Sequence, residues 1–174
     1  IRDYRASRGL GDVYKRQPED RLFFFTTCGW MMWNWVVSGL MVGTPVILYE
    51  GNPFHPGPDR LWQMAEAERL THMGVSAKYV DAVRNAGYLP GQNVDLSALR
   101  MIMSTGSPLS AEAFEFIYRD VSPSLQLCSI SGGTDLISCF VLGTPTQPVH
   151  AGEIQSRGLG TVSYTHLRAH ETTD

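Results

Sequence analysis

Three tryptophans fall within six residues of the segment Thr26–Trp35, which reads T-T-C-G-W-M-M-W-N-W. Each tryptophan buries a large ring and still requires a hydrogen-bond partner for its indole N–H, so such a run limits how the chain around it can pack. The segment follows an apolar, strand-like run and opens an apolar, helix-like one. A loop at the carboxyl end of a strand is where open α/β sheets usually bind ligands. From periodicity alone, the aromatic core face of a helix is the commoner explanation.

The rest of the sequence alternates between strand-like and helix-like segments. The expected strands are Leu22–Thr27, Pro45–Tyr49, His72–Val75, Leu99–Met103, Gln126–Ile130 and Leu136–Leu142. The expected helices are Met31–Met41, Arg60–Leu70, Ala77–Ala86 and Ala111–Asp120, with Asp59 and Ser110 as N-caps. The segment Pro45–Tyr49 should be a buried strand. This alternation predicts an α/β fold with a mainly parallel sheet and helices on both faces.

Charge and cysteine content exclude several classes of protein. Between residues 18 and 160 the chain carries eight basic and thirteen acidic residues, which is not the basic footprint of a nucleic-acid-binding protein. No apolar run approaches the roughly 18 residues that a membrane span requires. Cys28, Cys128 and Cys139 show no metal-ligand spacing and are expected to be buried and reduced. We therefore expect a cytoplasmic protein that binds neither nucleic acid nor a membrane.

Four motifs in a fixed order carry a resemblance to a known family. After the tryptophan run come S-T-G-S-P-L at Ser104–Leu109, S-I-S-G-G-T-D-L at Ser129–Leu136 and G-E-I-Q-S-R-G-L-G at Gly152–Gly160. From residue 18 to about residue 160 the sequence resembles the adenylate-forming acyl-CoA ligases. The resemblance implies a partial amino-terminal, AMP-binding domain of an AMP-dependent synthetase/ligase. It also implies a two-step reaction, in which a carboxylate attacks the α-phosphate of ATP and the CoA thiol then displaces AMP from the acyl-adenylate.

The resemblance assigns the ATP side of the site to two loops. The residues that it places against ATP are Gly106, Ser107, Pro108, Ser131, Gly132, Gly133 and Thr134. A glycine lets the backbone approach a flat ring closely, and paired glycines leave N–H groups free to face a phosphate. Thr134 and Asp135 are the candidate catalytic pair, with Thr134 as a donor to the α-phosphate and Asp135 as a carboxylate ligand of Mg²⁺. Without the resemblance, a strand–turn–helix and a tight hairpin-type turn explain the same two loops.

The resemblance assigns the acid to the tryptophan run. Trp30, Met31 and Met32 are the candidate contacts to the tail of the acid, together with Gly132. Relatives that activate acetate carry a bulky tryptophan at or beside that glycine, so a glycine there should leave room for a longer acid. Acetoacetate fits that space, and propionate or a medium-chain acid is the alternative. Glu153 and Arg157 of the last motif are expected to be structural.

The two ends of the chain fit no part of this pattern. Residues 1–17 are basic and residues 161–174 are polar, and neither segment shows an apolar period, so both are expected to be non-native, adapter-like tails. The phosphate loop, the ribose-binding acid and the catalytic lysine of the family have no counterpart in the sequence. The chain is accordingly expected to be an internal fragment that is inactive by itself.

Overall fold

The computed structural model describes residues 19–160. Within these residues, four short strands form a parallel sheet in the order β1–β2–β3–β4, so that each strand lies beside the next one along the chain. The strands are β1 (Leu22–Phe24), β2 (His72–Ser76), β3 (Met101–Thr105) and β4 (Gln126–Ser129). The predicted α/β class and parallel sheet are confirmed. The proposed tails at 1–17 and 161–174 lie outside the described residues and stay predictions.

Helices connect the strands and cover both faces of the sheet. They are α1 (Met31–Val37), α2 (Arg60–Ala67), α3 (Ala77–Asn85), α4 (Pro90–Asn93) and α5 (Ala111–Phe116). A 3₁₀ turn over Ser38–Val42 continues α1, and a π-helical turn over Ile117–Val121 continues α5. Across residues 19–160, no helix is both long enough and apolar enough to cross a bilayer.

Two clusters of buried side chains result, one on each face of the sheet. Successive residues of a strand point to opposite faces. Phe23 and Ile102 therefore pack on one face with the apolar stripes of α2, α3 and α5. Phe24 and Met103 pack on the other face with Trp35 of α1. Helices on both faces, as predicted, follow from this alternation.

Phe24 lies where the second cluster meets the tryptophan run. Its ring is edge-on to Trp30, with 5.8 Å between ring centroids, and edge-on to Trp35 at 5.9 Å. The ring also crosses Gly74 of the neighbouring strand, where a Cβ atom would overlap it. Glycine at this position is therefore a packing requirement, because the missing side chain on β2 makes room for a ring from β1.

A second, antiparallel sheet follows β4 in the chain. It comprises β5 (Ser131–Gly133), β6 (Ser138–Leu142) and the two-residue β7 (Ser156–Arg157), in that order. The predicted strand Leu136–Leu142 is thus confirmed in part. Three residues that the sequence assigns to an ATP-binding loop, Ser131, Gly132 and Gly133, form strand β5. The turn at residues 134–137 closes with the N–H of Ile137 donating to the carbonyl oxygen of Thr134 at 3.2 Å.

The prediction of a buried strand over Pro45–Tyr49 is wrong. This segment meets the sheet through a single parallel bridge between Val46 and Leu22, with two backbone hydrogen bonds that both involve Leu22. The side chain of Leu48 is exposed. Within the described residues the segment has a strand on one side only, at the edge beside β1. An apolar, β-branched composition does not reveal whether a strand has one neighbour or two.

Serine side chains begin the helices that leave β2 and β3. Ser76 Oγ and Ser110 Oγ each accept a backbone N–H three residues further on, both at 3.2 Å. Asp59 stands at the N-cap position of α2 as predicted, but its carboxylate accepts from the Gln63 side chain at 2.5 Å and makes no capping bond to the backbone. Ser110 is thus confirmed as a cap, and it begins α5 close to the carboxyl end of β3.

The amino-terminal end of the sheet buries a charged cluster. Asp20, just before β1, is fully buried, and its carboxylate forms an ion pair with Arg100, which directly precedes β3. His72, the first residue of β2, is also buried and places Nδ1 3.9 Å from the same carboxylate and 2.8 Å from Thr71 Oγ1. A buried carboxylate requires partners of this kind, so the cluster ties together the amino-terminal ends of three neighbouring strands.

Candidate active site

A cavity of about 480 Å³ opens at the carboxyl-terminal ends of β3 and β4. This edge of a parallel sheet is where such folds usually bind ligands. The lining residues are Trp30, Met31, Met32, Thr105, Gly106, Ser107, Pro108, Leu109, Ser129, Ile130, Ser131, Gly132, Thr134, Cys139, Gly152 and Ile154. None of them carries a formal charge, so the cavity presents hydroxyl groups, backbone groups, a thiol and apolar surface to a ligand.

The residues predicted from sequence converge on this cavity with two exceptions, Gly133 and Asp135. At Gly133, a Cβ atom would lie 3.4 Å from the ring of Phe140 on β6, so the side-chain direction at this position is towards that ring. Asp135 is exposed on the turn between β5 and β6. The structure therefore brings together the loop after β3, the β4–β5 junction and the start of α1, while the roles given to individual residues stay predictions.

Asp135 is the residue that the sequence associates with Mg²⁺. Residues 19–160 contain no group of three or more His, Cys, Asp or Glu side chains placed to hold a metal ion. A single carboxylate on an exposed turn fits the usual binding of Mg²⁺ in nucleotide sites, where one or two carboxylates act together with substrate phosphates. It does not fit a cation site built from the side chains of these residues alone.

The tryptophan run divides between core and cavity. Trp35 is buried in the core below α1. Trp30, the N-cap residue of α1, is partly exposed and lines the cavity. A Cβ atom on Gly106 would lie 3.6 Å from Cη2 of Trp30, so the edge of the indole covers the space where a side chain at position 106 would stand. One run of sequence thus supplies both an aromatic core and a wall of the site.

The loop after β3 is held by a specific contact and a specific backbone conformation. Thr105 Oγ1 donates to the carbonyl oxygen of Ile130 at 2.9 Å, which joins the ends of β3 and β4. Gly106 then adopts φ 91°, a conformation that residues with a side chain rarely adopt. The strip Gly106–Pro108, predicted to lie against ATP, is therefore a fixed turn that presents backbone and small side chains to the cavity.

Gly132 lines the cavity, but the structure requires a glycine there for a reason other than the predicted room for a longer acid. A Cβ atom at this position would overlap the carbonyl oxygen of Ser138 and lie 2.9 Å from Cα of Cys139. The direction that a side chain would take is occupied by the backbone of β6. The pairing of β5 with β6 is irregular between Ser131 and Gly132, as in a β-bulge. The glycine allows this close approach, so the inference that it enlarges the acyl pocket does not follow.

Sequence reasoning missed one wall of the cavity completely. Gly152 and Ile154 line it from the last motif, to which no ligand contact was assigned. Glu153 and Arg157 do not line it, and Arg157 pairs with Val141 of β6, which agrees with the expectation of a structural role. The available signal was the motif itself, since a segment this specific in sequence commonly does more than form a turn. The other lining residues without a predicted role are Thr105, Leu109, Ser129, Ile130 and Cys139.

The three cysteines are free thiols, and the prediction that all are buried is wrong for Cys28, which is exposed. Cys128 and Cys139 are buried in the cluster below α1. Desolvation by burial raises the pKa of the Cys128 thiol to about 12, and the neighbouring Cys139 contributes to the rise. Cys128 is therefore protonated at neutral pH and acts as a packing side chain, because the thiolate is the nucleophilic form.

The sequence matches the model of the AMP-binding enzyme family over residues 3–161. The chain belongs to the AMP-binding enzyme family. This family match confirms the resemblance inferred from the four motifs and the fold that it implies. It begins at residue 3, inside the segment proposed as a tail, whose boundary stays a prediction.

Two relatives and one solved structure to which this chain is similar are all acetoacetyl-CoA synthetases. Acetoacetyl-coenzyme A synthetase of Rhizobium meliloti (strain 1021) is 54% identical over 160 residues, which cover 92% of this chain and 24% of that protein. Acetoacetyl-CoA synthetase of Mus musculus is 45% identical over 141 residues, or 81% of this chain and 21% of that protein. The structure of acetoacetyl-CoA synthetase from Streptomyces lividans matches with a TM-score of 0.80 and 45% identity, covering 85% of this chain and 23% of that one. The chain therefore spans about a quarter of the length of these relatives.

Proposed function

We propose that this chain is part of an ATP-dependent ligase that activates acetoacetate as an acyl-adenylate and transfers the acetoacetyl group to CoA. The observation that carries the proposal is the convergence of four separate motifs on one uncharged cavity, in a chain whose relatives are acetoacetyl-CoA synthetases. The cavity would hold the adenosine and acyl parts of the intermediate. Its position at the carboxyl ends of β3 and β4 supports a ligand site.

In the proposed first step, a carboxylate oxygen of the acid bonds to the α-phosphorus of ATP and pyrophosphate leaves. Two anions must be brought together, so positioning and charge stabilisation dominate catalysis. Thr134 lines the cavity, and its hydroxyl would donate to the α-phosphate. Because the lining is uncharged, Mg²⁺ bound by the phosphates and Asp135 would supply the electrostatic stabilisation. CoA thiol then attacks the acyl carbon, and AMP leaves.

The proposed acid is acetoacetate, and its support is the agreement among the named relatives. Trp30, Met31 and Met32 would contact its tail, since all three line the cavity at the start of α1. Gly132 contributes to this wall through its backbone, because the side-chain direction at that position faces β6. Propionate is the comparison acid, since it keeps the short chain and lacks the second carbonyl group.

The test is a chimera in which residues 19–160 of this chain replace the matching segment of the Rhizobium meliloti enzyme. We expect the chimera to catalyse acid-dependent exchange of pyrophosphate into ATP faster with acetoacetate than with acetate or propionate. The unaltered Rhizobium meliloti enzyme is the matched control. A chimera that melts like this control but exchanges fastest with acetate or propionate, or with no acid at all, would contradict the proposal.

A further inference from the structure

The parallel pairing of β3 with β4 ends at the cavity, and the side chain of Thr105 makes the last contact between the two strands. Their backbone ladder ends with the N–H of Ile130 donating to the carbonyl oxygen of Ser104 at 2.9 Å. In a continued parallel ladder, the N–H two residues after Ser104 would donate next, to the carbonyl oxygen of Ile130. Gly106 stands at that position, but β3 ends before it and Gly106 begins a turn with φ 91°. The hydroxyl of Thr105 donates to the Ile130 oxygen instead, at 2.9 Å.

This hydrogen bond lies where two walls of the cavity begin. Thr105 and Ile130 both line the cavity. After Thr105 the chain continues into the strip Gly106–Pro108, and after Ile130 it continues into β5, and both continuations line the cavity as well. Strand β5 belongs to the second sheet, and in residues 19–160 no strand pairing joins it to the parallel sheet. The bond from Thr105 to Ile130 therefore fixes the two walls to each other at their common origin.

Threonine suits this position for reasons of direction and stiffness. Thr105 comes two residues after Met103, so its side chain leaves β3 on the face of the second core cluster, which includes Ile130. A β-branched side chain has few accessible χ1 rotamers, so the hydroxyl is held in one direction. Ile130 is itself buried, and a buried carbonyl oxygen requires a partner.

We infer that Thr105 is a positioning residue for the reaction, because its hydroxyl fixes the strip Gly106–Pro108 relative to the start of β5. The effect on the reaction rests on the proposed function, because it takes the cavity as the place where ATP and the acid react. It requires no particular placement of either substrate, since both walls line the same cavity. A displacement of about 1 Å can slow a reaction roughly a hundredfold. Loosening the junction should therefore lower kcat more than it changes either KM.

The first experiment compares two substitutions in the chimera described above. Thr105→Val keeps the shape of the side chain and loses the donor, whereas Thr105→Ser keeps the donor. Steady-state pyrophosphate exchange, with ATP and acetoacetate varied separately, gives kcat and the two KM values. We expect Thr105→Val to lower kcat about tenfold or more and to leave both KM values within about threefold. Thr105→Ser should restore kcat to within about threefold of the unsubstituted chimera.

Thr71→Val is the matched control at the other end of the sheet. Thr71 Oγ1 accepts from the backbone N–H of Arg21 at 2.9 Å and lies 3.3 Å from its carbonyl oxygen, so the same substitution removes a comparable hydroxyl far from the cavity. It should lower the melting temperature and leave kcat unchanged at a temperature where the chimera is folded.

The second experiment follows the junction itself and needs no turnover. Cys139 lines the cavity and is buried, whereas Cys28 is exposed. If the two walls separate, iodoacetamide should alkylate Cys139 several times faster in Thr105→Val than in Thr105→Ser, because local opening exposes buried groups. Mass spectrometry of the two cysteine-containing peptides measures this rate, and Cys28 should react equally fast in every variant.

The outcomes distinguish a failure of the positioning role from a failure of the proposed function. A chimera without acetoacetate-dependent exchange overturns the proposed function, while the alkylation of Cys139 still decides whether the Thr105 hydroxyl holds the junction. Equal alkylation of Cys139 in both Thr105 variants overturns that claim. In an active chimera, an unchanged kcat in Thr105→Val overturns the positioning role, even if its melting temperature falls as in Thr71→Val. Thr105→Ser as slow as Thr105→Val also overturns it, because the methyl group and not the hydroxyl would then be needed.

Discussion

The two ends of the parallel sheet use polar groups in opposite ways. At the amino-terminal end, the fully buried carboxylate of Asp20 is matched by Arg100 and lies near His72. At the carboxyl-terminal end, the cavity lining contains no formal charge and presents hydroxyl groups and backbone. A strand of five residues such as β2 separates the ends by roughly 16 Å. Charge that stabilises the fold is thus kept apart from the edge where a charged substrate would bind.

The largest expected effect is a loss of stability when the positive charge of Arg100 is removed from the amino-terminal end of the parallel sheet. Arg100→Met in the chimera should lower the free energy of unfolding by about 3 kcal/mol, because it leaves the buried Asp20 carboxylate without its arginine. The effect should fall near the low end of the range for buried pairs, since the Arg100 side chain is itself 56% exposed. Urea-induced unfolding followed by tryptophan fluorescence measures the loss.

Two controls show whether the amino-terminal end serves stability alone. Arg84→Met breaks an ion pair with Asp81 in which both partners are partly exposed, and it should cost less than about 1 kcal/mol. Both KM values of Arg100→Met should match those of the unsubstituted chimera at a temperature where it is folded. A change in KM at that temperature would show that the two ends are coupled and would break the comparison.

The next effect acts at the opposite end and should leave stability unchanged. Thr134→Ala removes one hydroxyl donor from the cavity, and loss of a donor aimed at a developing charge slows a reaction roughly a hundredfold. Thr134 is exposed on the β5–β6 turn, and its backbone bond to Ile137 remains. The measurements are the rate of acyl-adenylate formation and the melting temperature. A lower melting temperature with an unchanged rate would instead support a structural role in the turn.

A third prediction tests why position 132 is a glycine. The reason is either the close approach of the β6 backbone or the space that a longer acid needs. Gly132→Ala should slow exchange about tenfold and lower the melting temperature, because even one added methyl group meets the backbone of Ser138, and such overpacking costs about 1–3 kcal/mol. Gly133→Ala is the matched control, since its added methyl group would make only an ordinary contact with the Phe140 ring. The explanation by pocket space would be restored by two results together. Gly132→Ala would leave the exchange rate and the melting temperature unchanged, and Gly132→Trp would slow exchange with acetoacetate selectively.

The smallest expected effect is the pH dependence of stability that comes from Cys128, a residue of β4 in the parallel sheet. The raised pKa of Cys128, from 9.0 to about 12, means that the fold favours the protonated thiol. Stability from this group is therefore complete below about pH 9 and is lost as the pH rises from 9 towards 12. The free energy of unfolding should be lower at pH 10 than at pH 8 by about 1 kcal/mol because of this thiol. Cys128→Ala should reduce the difference, and Cys28→Ala, at an exposed thiol, should leave it unchanged.

Sequence patterns predict the parts of this molecule that depend on local periodicity and chain order. Alternating strands and helices predict the parallel sheet, and the carboxyl ends of its strands necessarily meet at one edge, so loops distant in sequence could be assigned to one site. The edge position of Pro45–Tyr49 could not be predicted, because the composition of a segment does not show whether other strands lie on one side of it or on both. The hydrogen bonds that the Gln155 side chain makes with Thr144, Gln147 and Pro148 could not be predicted either, because these partners lie 7 to 11 residues away in a loop without periodicity.

Gly132 shows a second reason why site chemistry is harder to predict than fold. Two adjacent glycines fit an anion-binding turn and a close approach of two backbones equally well, because both need the same missing side chain. Only the direction of the absent Cβ atom distinguishes these explanations, and that direction depends on the register of β5 against β6. Sequence can therefore identify the residue while leaving its reason open.

The passage of the Phe24 ring across Gly74 has a consequence for how this site could change its substrate. Trp30 rests edge-on against that ring, so widening the cavity by shifting the indole would require the core to be repacked at the same time. Ile154, which belongs to neither core cluster, carries no such constraint. Selection or protein engineering directed at new ligands should therefore accept substitutions at Ile154 early, and at Trp30 only together with changes on β1 or β2.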